Sequence, residues 1–332
     1  MKRVLLTGAN GFLGNNLVRE LTGRGYTVHA FIQEGADPSI LDGLDVIRFS
    51  GDLLKPDTLR KSIEGCDYII HSAGLTTINP AKVPMARLVN VEGTRRILDL
   101  ALEYGVKRVV HVGTSNTFGF GSKTKPGNET SPFSSGHYGL DYITTKLEAH
   151  NLALSYFRNH GLPIIIVNPT FMIGPNDPGP SSNLMIKQIV DRKLPGYCPG
   201  GRNFASVKDN CIAIVNALTM GKPGESYILG NRNMNYKEFY ALIGKVTGAK
   251  TPWVYLPAFL IKPMGAVLSG MAAIFPRFHS DVNLSIAKIA CDEQFFSSDK
   301  AIRELQLPQS PIEDAIWDSF VWLRDNGKLV TI

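Results

Sequence analysis

A tyrosine and a lysine stand four residues apart in Tyr142-Ile143-Thr144-Thr145-Lys146. On a helix that spacing puts both on one face. A phenol near its ordinary pKa is a poor acid-base group at neutral pH, and a neighbouring cation favours the phenolate and pulls the pKa down. Such a pair can move a proton to or from a reacting oxygen. Ahead of it, the apolar run Arg108-Val109-Val110-His111-Val112 ends in Gly113-Thr114-Ser115-Asn116, which offers hydroxyls at a strand end. At the start of the chain, Val4-Leu5-Leu6-Thr7 leads into Gly8, Gly11 and Gly14. Gly8 permits a tight turn, Gly11 lets backbone approach a phosphate, and Gly14 lets the following helix pack near the strand. Leu13, Leu17 and Leu21 then recur at helical spacing. The helix N-terminus offers free N–H groups and a positive dipole end to a pyrophosphate.

These residues need strands and helices in alternation to hold them. Strand patterns fall at Thr27–Ile32, Asp45–Phe49, Tyr68–His71, Arg108–Val112 and Ile164–Val167, with helical patterns at Leu53–Ile63, Met85–Tyr104 and Tyr142–Phe157. Continuous apolar strands between helices predict a parallel sheet covered on both faces, an α/β doubly wound (Rossmann) fold. Ligands bind beyond the carboxyl ends of such strands. The alternation breaks after Asn168-Pro169. The expected division is a nucleotide-binding domain over 1–170, rejoined by 207–230, and a smaller, mostly helical substrate lobe from 171–206 and 231–332. Trp253–Phe275 is apolar but interrupted by Lys262 and Pro257 and Pro263. It reads as a pair of buried or substrate-covering helices, or as an amphipathic surface for a membrane or a greasy substrate.

The composition of the 332 residues, 44% apolar and 19% charged, excludes disordered and collagen-like classes. The net charge of +6 is scattered and not interleaved with aromatics, so no nucleic-acid partner is expected. Cys66, Cys198, Cys211 and Cys291 form no C-x-x-C pair, which suggests neither metal nor disulfides. No apolar run spans a bilayer and the first residues enter a core strand without a signal peptide; a cytoplasmic protein is expected.

In its ordered motifs the chain resembles the extended short-chain dehydrogenase/reductase family. The match runs through Gly8, Gly11, Gly14, Gly51-Asp52-Leu53, His71-Ser72-Ala73-Gly74, Asn90, Thr114, Asn116-Thr117-Phe118-Gly119, Tyr142, Lys146 and Asn168-Pro169-Thr170. Lys300–Leu305 also looks like the family's closing motif. The resemblance implies that Tyr142 is the acid/base, that Lys146 lowers its pKa and holds the nicotinamide ribose, and that Thr114 bonds the substrate oxygen, with Ser115 next in register. Asp52 would bond the adenine and Leu53 flank it, unless Asp52 serves as a helix cap. Asn10, Phe12, Leu13, Ser72, Ala73, Gly74, Asn168, Pro169 and Thr170 would line the cofactor, and Asn90 would either join them or serve as a structural polar residue of its helix. Ser115, Asn116, Phe171 and Arg202 would meet the substrate.

An acid at the end of the second strand would grip a ribose diol. Here Gln33 stands there, which leans towards NADP over NAD. Relatives that dehydrate carry an acidic pair where Ser115-Asn116 stand, so redox chemistry is expected. Within the family the chain resembles the dihydroflavonol reductase and 3β-hydroxysteroid dehydrogenase branch, which implies reduction of a bulky, apolar ketone or oxidation of the alcohol. A nucleotide-sugar epimerase is the alternative, with Arg202 either on a pyrophosphate or anchoring a loop by a salt bridge. A non-catalytic NAD(P)-binding regulator is the alternative from another class. A homodimer through Met85–Tyr104 and Tyr142–Phe157 is expected.

Overall fold

The computed structural model describes residues 2–78, 82–179, 181–274 and 283–330. In chain order β1 (Arg3–Thr7), α1 (Phe12–Gly23), β2 (Thr27–Gln33), β3 (Ile47–Gly51), α2 (Pro56–Ile63) and β4 (Tyr68–His71) form the first half of the sheet. Next come α3 (Met85–Arg87), α4 (Gly93–Glu103), β5 (Arg108–Val112), α5 (Asp141–His160) and β6 (Ile164–Pro169). The remainder is β7 (Phe171–Ile173), α6 (Leu184–Val190), β8 (Gly201–Ser206), α7 (Val207–Asn216), β9 (Ser226–Leu229), β10 (Arg232–Asn235) and α8 (Tyr236–Thr247). It closes with α9 (Ala258–Ile274), α10 (Leu284–Ile289), β11 (Glu293–Gln294), α11 (Asp299–Leu305) and α12 (Ile312–Asp325).

Seven parallel strands pair in the order β3-β2-β1-β4-β5-β6-β9. The order reverses between β1 and β4, and the crevice at that switch point is where such sheets bind ligands. Helices cover both faces because the strands are apolar on both. On one face Leu13, Leu17 and Leu21 of α1 pack with Cys211 and Ile214 of α7 and Leu305 of α11. On the other, Leu59 and Ile63 of α2 meet Ile97 and Leu98 of α4 and Ala153 of α5. A third apolar cluster sits in the second half, where Ile173, Ile189, Phe204, Phe239, Ile243 and Ile316 join β7, α6, β8, α8 and α12.

Several elements differ from the sequence reading. The predicted helix Met85–Tyr104 is broken by a π-helical turn at Leu88–Glu92. The wide turn carries Asn90, and the Thr94 hydroxyl donates to the Asn90 carbonyl at 2.6 Å, satisfying an acceptor the turn would otherwise leave loose. The second half is mostly helical, as expected, but also holds short strands that were not foreseen. A small sheet joins β10, β8 and β11, with β7 also paired to β8. Arg202-Asn203-Phe204, read as loop, is its central strand. The apolar stretch from Trp253 holds one helix, α9, which begins at Ala258 and carries Pro263 internally; Phe275 lies outside the described residues. The four cysteines are free. Among the described residues no three His, Cys, Asp or Glu side chains are grouped to hold a metal. No helix there is long and apolar enough to cross a membrane.

Candidate active site

The glycine loop is built by close approach. Gly8 has φ +70°, and a β-carbon there would lie 2.9 Å from the backbone of Ala73. At Gly14 a β-carbon would lie 1.9 Å from the Gly8 carbonyl oxygen. Gly11 is different. Its nearest neighbour would be the Gly8 oxygen at 3.4 Å, so its outer side is open. Gly11 is also the N-cap of α1, with extended backbone and no side-chain cap. The first N–H groups of α1 therefore face an open cradle suited to a phosphate. Phe12 and Leu13 begin the helix and Leu13 is buried. The Asn10 amide donates to the Asp37 carbonyl at 3.1 Å, tying this loop to the one after β2.

Around the cradle, Thr7 connects β1 to the end of β4. Its hydroxyl meets His71 Nδ1 at 2.7 Å and accepts from the Ala73 N–H at 3.2 Å. Ser72, Ala73 and Gly74 run out from β4 over the switch point. Burial pushes His71 down to about 3, so its ring is neutral. Gly74 abuts both Asn90 and Lys146, whose Oδ1 and Nζ would lie 2.9 and 3.2 Å from a β-carbon there. Asn90 spends its amide on protein. It accepts from the Leu75 N–H at 2.7 Å and donates to the Leu75 carbonyl and the Thr145 hydroxyl, both at 3.0 Å. It shapes the wall of the site rather than standing free in it.

Thr114, Tyr142, Lys146 and Arg202 converge at the carboxyl ends of β5 and β6. Thr114 stands beside the Tyr142 phenol and acts to lower its pKa. Burial dominates and leaves that pKa raised. The Arg202 charge also lowers the phenol. Lys146 donates to the Val112 carbonyl at 3.0 Å, and burial lowers its own pKa to about 8. Ser115, buried, and Asn116, half-buried, belong to the tight turn that Thr114 caps, with the Asn116 N–H donating to the Thr114 hydroxyl at 3.3 Å.

Asn168 and Thr170 face inward. Asn168 is fully buried beneath Gly113, where a β-carbon would lie 2.3 Å from its Oδ1. The Thr170 hydroxyl donates to Asn203 Oδ1 at 2.9 Å. Pro169 closes β6 opposite Leu229 of β9. Asp52 Oδ1 accepts from the Leu54 N–H at 2.8 Å, a turn-closing bond before α2, whose N-cap is Lys55. Leu53 packs on Gly93. Gln33 ends β2 exposed, and the neighbouring Glu34 pairs with Lys55 at 3.2 Å.

Of the two readings of Arg202, the loop-anchoring salt bridge is not made among the described residues. Arg202 lies in β8, donates to Gln294 Oε1 and, at 3.2 Å, to the Tyr236 hydroxyl. Its guanidinium also sits 5.8 Å from the Phe171 ring centre. Sequence reasoning missed the partners: Gln294, which donates to the Tyr138 hydroxyl at 2.9 Å, and Asp292, which accepts from it at 2.7 Å. It also missed Asn203, whose amide reaches Thr170, Asn231, Asn233 and Phe296. No spacing in the chain connects residues so far apart.

The model of the NAD dependent epimerase/dehydratase family matches residues 4–230. The chain belongs to this family. Sterol demethylase protein B of Methylococcus capsulatus is 31% identical over 330 residues, covering 98% of this chain and 99% of that protein. The putative dihydroflavonol 4-reductase of Synechocystis sp. is 31% identical over 334 residues, covering 98% and 96%. The crystal structure of gox2253 superposes with a TM-score of 0.86 at 32% identity, covering 99% of this chain and all of that one. This family member is an NAD(P)-dependent oxidoreductase of the extended short-chain dehydrogenase/reductase type.

Proposed function

We propose that the protein reduces the ketone of a bulky, apolar substrate, or oxidises the corresponding alcohol, with Tyr142 as acid/base. The observation that carries this reading is the convergence of Thr114 and Arg202 on the Tyr142 phenol. Gly8, Gly11 and the first turn of α1 would hold the pyrophosphate, and Lys146 beside Gly74 would hold the nicotinamide ribose. The bound nicotinamide supplies or accepts the hydride. The Thr114 hydroxyl bonds the carbonyl oxygen, and the Tyr142 hydroxyl gives that oxygen its proton; the phenolate then regains one from solvent. In oxidation the proton moves the other way.

Two features support an apolar substrate. Arg202 is engaged by Gln294 and Tyr236 and stacked near Phe171, which ties up the cation a nucleotide-sugar pyrophosphate would require. Two relatives, moreover, are named for a sterol and a dihydroflavonol. The exposed Gln33, with Glu34 drawn to Lys55, leaves room for a 2′-phosphate and supports NADP. Met85, Leu88, Leu102 and Tyr104 stand exposed along the helical layer of α3 and α4, which supports a homodimer through that layer; a monomeric mass in light scattering would refute it.

The test is a screen of the purified protein with NADPH or NADH against ketosteroids, flavonoid ketones, keto-lipids and UDP-glucose. Loss of nicotinamide absorbance with an apolar ketone is expected. Tyr142→Phe should lower turnover by about 10²–10⁴-fold while leaving cofactor binding intact. Epimerised UDP-sugar without ketone reduction, or a Tyr142→Phe enzyme as fast as the parent, would overturn the reading.

A further inference from the structure

Four side chains from distant parts of the chain stand in one directed line. Arg202 of β8 donates to Gln294 Oε1 of β11. Gln294 Nε2 donates to the Tyr138 hydroxyl at 2.9 Å, and that hydroxyl donates to Asp292 Oδ2 at 2.7 Å. Every link donates in the same direction, from a guanidinium to a carboxylate. An amide has an acceptor end and a donor end, so Gln294 serves both neighbours in one orientation only. A hydroxyl that gives its single proton to Asp292 must receive from Gln294. Burial, helped by the Asp292 carboxylate, pushes the Tyr138 phenol far up, so it keeps that proton at neutral pH. Gln294 and Tyr138 are both buried, and a buried chain with a charge at each end polarises every link in it.

The backbone is shaped to make this line possible. Arg202 and Gln294 are register partners on the parallel strands β8 and β11. The Gly201 N–H donates to the Asp292 carbonyl at 3.2 Å, and a β-carbon on Gly200 would lie 2.6 Å from that same oxygen. The far end is tied as well. Ser285 of α10 donates to the Tyr138 carbonyl at 2.7 Å and Lys288 to the His137 carbonyl at 3.1 Å, while the His137 ring meets Asp292 Oδ2 at 3.3 Å.

Tyr138 stands four residues before Tyr142, at the end of the tight turn Ser135–Tyr138 that leads into α5. The arrangement therefore closes on itself. It runs from Tyr142 back along the chain to Tyr138, across to Gln294, on to Arg202, and from the Arg202 charge to the Tyr142 phenol. Without Gln294 the guanidinium would keep the Tyr236 hydroxyl, at 3.2 Å, as its hydrogen-bond partner. A long side chain so loosely held recovers rotamer freedom and swings.

We propose that Gln294, fixed by Tyr138 and Asp292, is the positioning residue that holds the Arg202 guanidinium against the Tyr142 phenol. The inference rests on the reading of Tyr142 as the acid/base and extends it to three residues that move no proton in the reaction.

The test uses nuclear magnetic resonance of the full-length protein, isotope-labelled at tyrosine Cζ and in the arginine side chains, with no substrate added. Signals lost in Arg202→Lys and in Tyr142→Phe assign the two resonances. In the parent, the Arg202 guanidinium protons should be protected from exchange with water. Gln294→Met, which keeps the volume, and Tyr138→Phe, which keeps the ring, should each speed that exchange at least about tenfold. Near pH 10 each should also lower the phenolate fraction of Tyr142 by about threefold, or roughly half a pH unit. Circular dichroism and cofactor binding like the parent's establish that each variant is folded; where Tyr138→Phe does not fold, Gln294→Met decides alone. A merely structural role would lower the urea midpoints and leave both signals unmoved, and that result overturns the proposal. So does a parent protein whose Arg202 protons exchange freely. A ketone screen without a hit, or a Tyr142→Phe enzyme that still turns over, would instead overturn the function proposed above and leave these signals as they are.

Discussion

Two glycines three residues apart should fail in opposite ways. Gly14→Ala sets a methyl 1.9 Å from the Gly8 carbonyl oxygen. Relief needs more than about 1 Å of backbone movement, and overpacking of this kind costs about 1–3 kcal/mol. The same oxygen accepts from the Gly11 N–H at 3.1 Å, so the loop cannot retreat without losing that bond. Alanine returns about 1 kcal/mol of helix propensity. A net loss of about 2 kcal/mol follows, at the upper end of the overpacking range because the clash is with backbone. Gly11→Ala meets nothing closer than 3.4 Å, and its φ of −75° suits alanine. Reduced freedom of the unfolded chain adds about 0.4–1 kcal/mol, and the poorer N-cap removes a similar amount. Its stability should stay within about 0.5 kcal/mol of the parent. Yet the methyl would occupy the open side of the cradle, so NAD(P)H affinity should fall at least about tenfold, or 1.4 kcal/mol. Urea unfolding followed by tryptophan fluorescence reads the first quantity and nicotinamide fluorescence titration reads the second. A folded Gly11→Ala protein that binds both cofactors like the parent would refute the phosphate cradle.

The buried rings should make the protein acid-sensitive above the carboxylate range. Burial holds His71 at about 3 and His150 at about 4, below the ordinary 6.5, so between those values and 6.5 the unfolded chain binds more protons and stability falls as pH falls. Urea midpoints taken at pH 6.5 and 4.5 should show that decline, and His150→Gln should flatten it by about 1.4 kcal/mol per pH unit; identical slopes would count against it. Because the Arg202 charge lowers the Tyr142 phenol, Arg202→Gln should move the alkaline rise of alcohol oxidation to higher pH, and Arg202→Lys should largely restore it. A pH–rate midpoint that ignores all three residues would exclude this role. Gln33→Asp should shift the ratio of NADPH to NADH affinity at least about tenfold towards NADH, read by titration.

The main sheet was legible because its cues are local. A buried strand, a glycine turn and a leucine repeat lie within two dozen residues at the start of the chain, and Tyr142 and Lys146 share one helix. The π turn at Leu88–Glu92 was not, because its cause is a partner elsewhere: Asn90 is held by Leu75 and Thr145. The small sheet was hidden for the same reason. Its strands are two to six residues long, and β8 is flanked by Gly/Pro-rich sequence that reads as turn. The Arg202 charge that acts on Tyr142 was not foreseen, because it comes from a residue 60 positions downstream. Spacing along one helix can be read from sequence; proximity across the cleft cannot.

Asn203 bears on how substrate enters. The chain passes from the main sheet to the small one at Thr170 and again at Gly230-Asn231. At both crossings the connecting strand is bonded to the one Asn203 amide: Thr170 and Asn231 donate to its oxygen, and its nitrogen donates towards Asn233 and the Phe296 carbonyl. Gly230 fits there because a β-carbon would lie 2.2 Å from that oxygen. Passages riveted at a common point do not bend like a single hinge, so the halves of this molecule are not built to gape apart between turnovers.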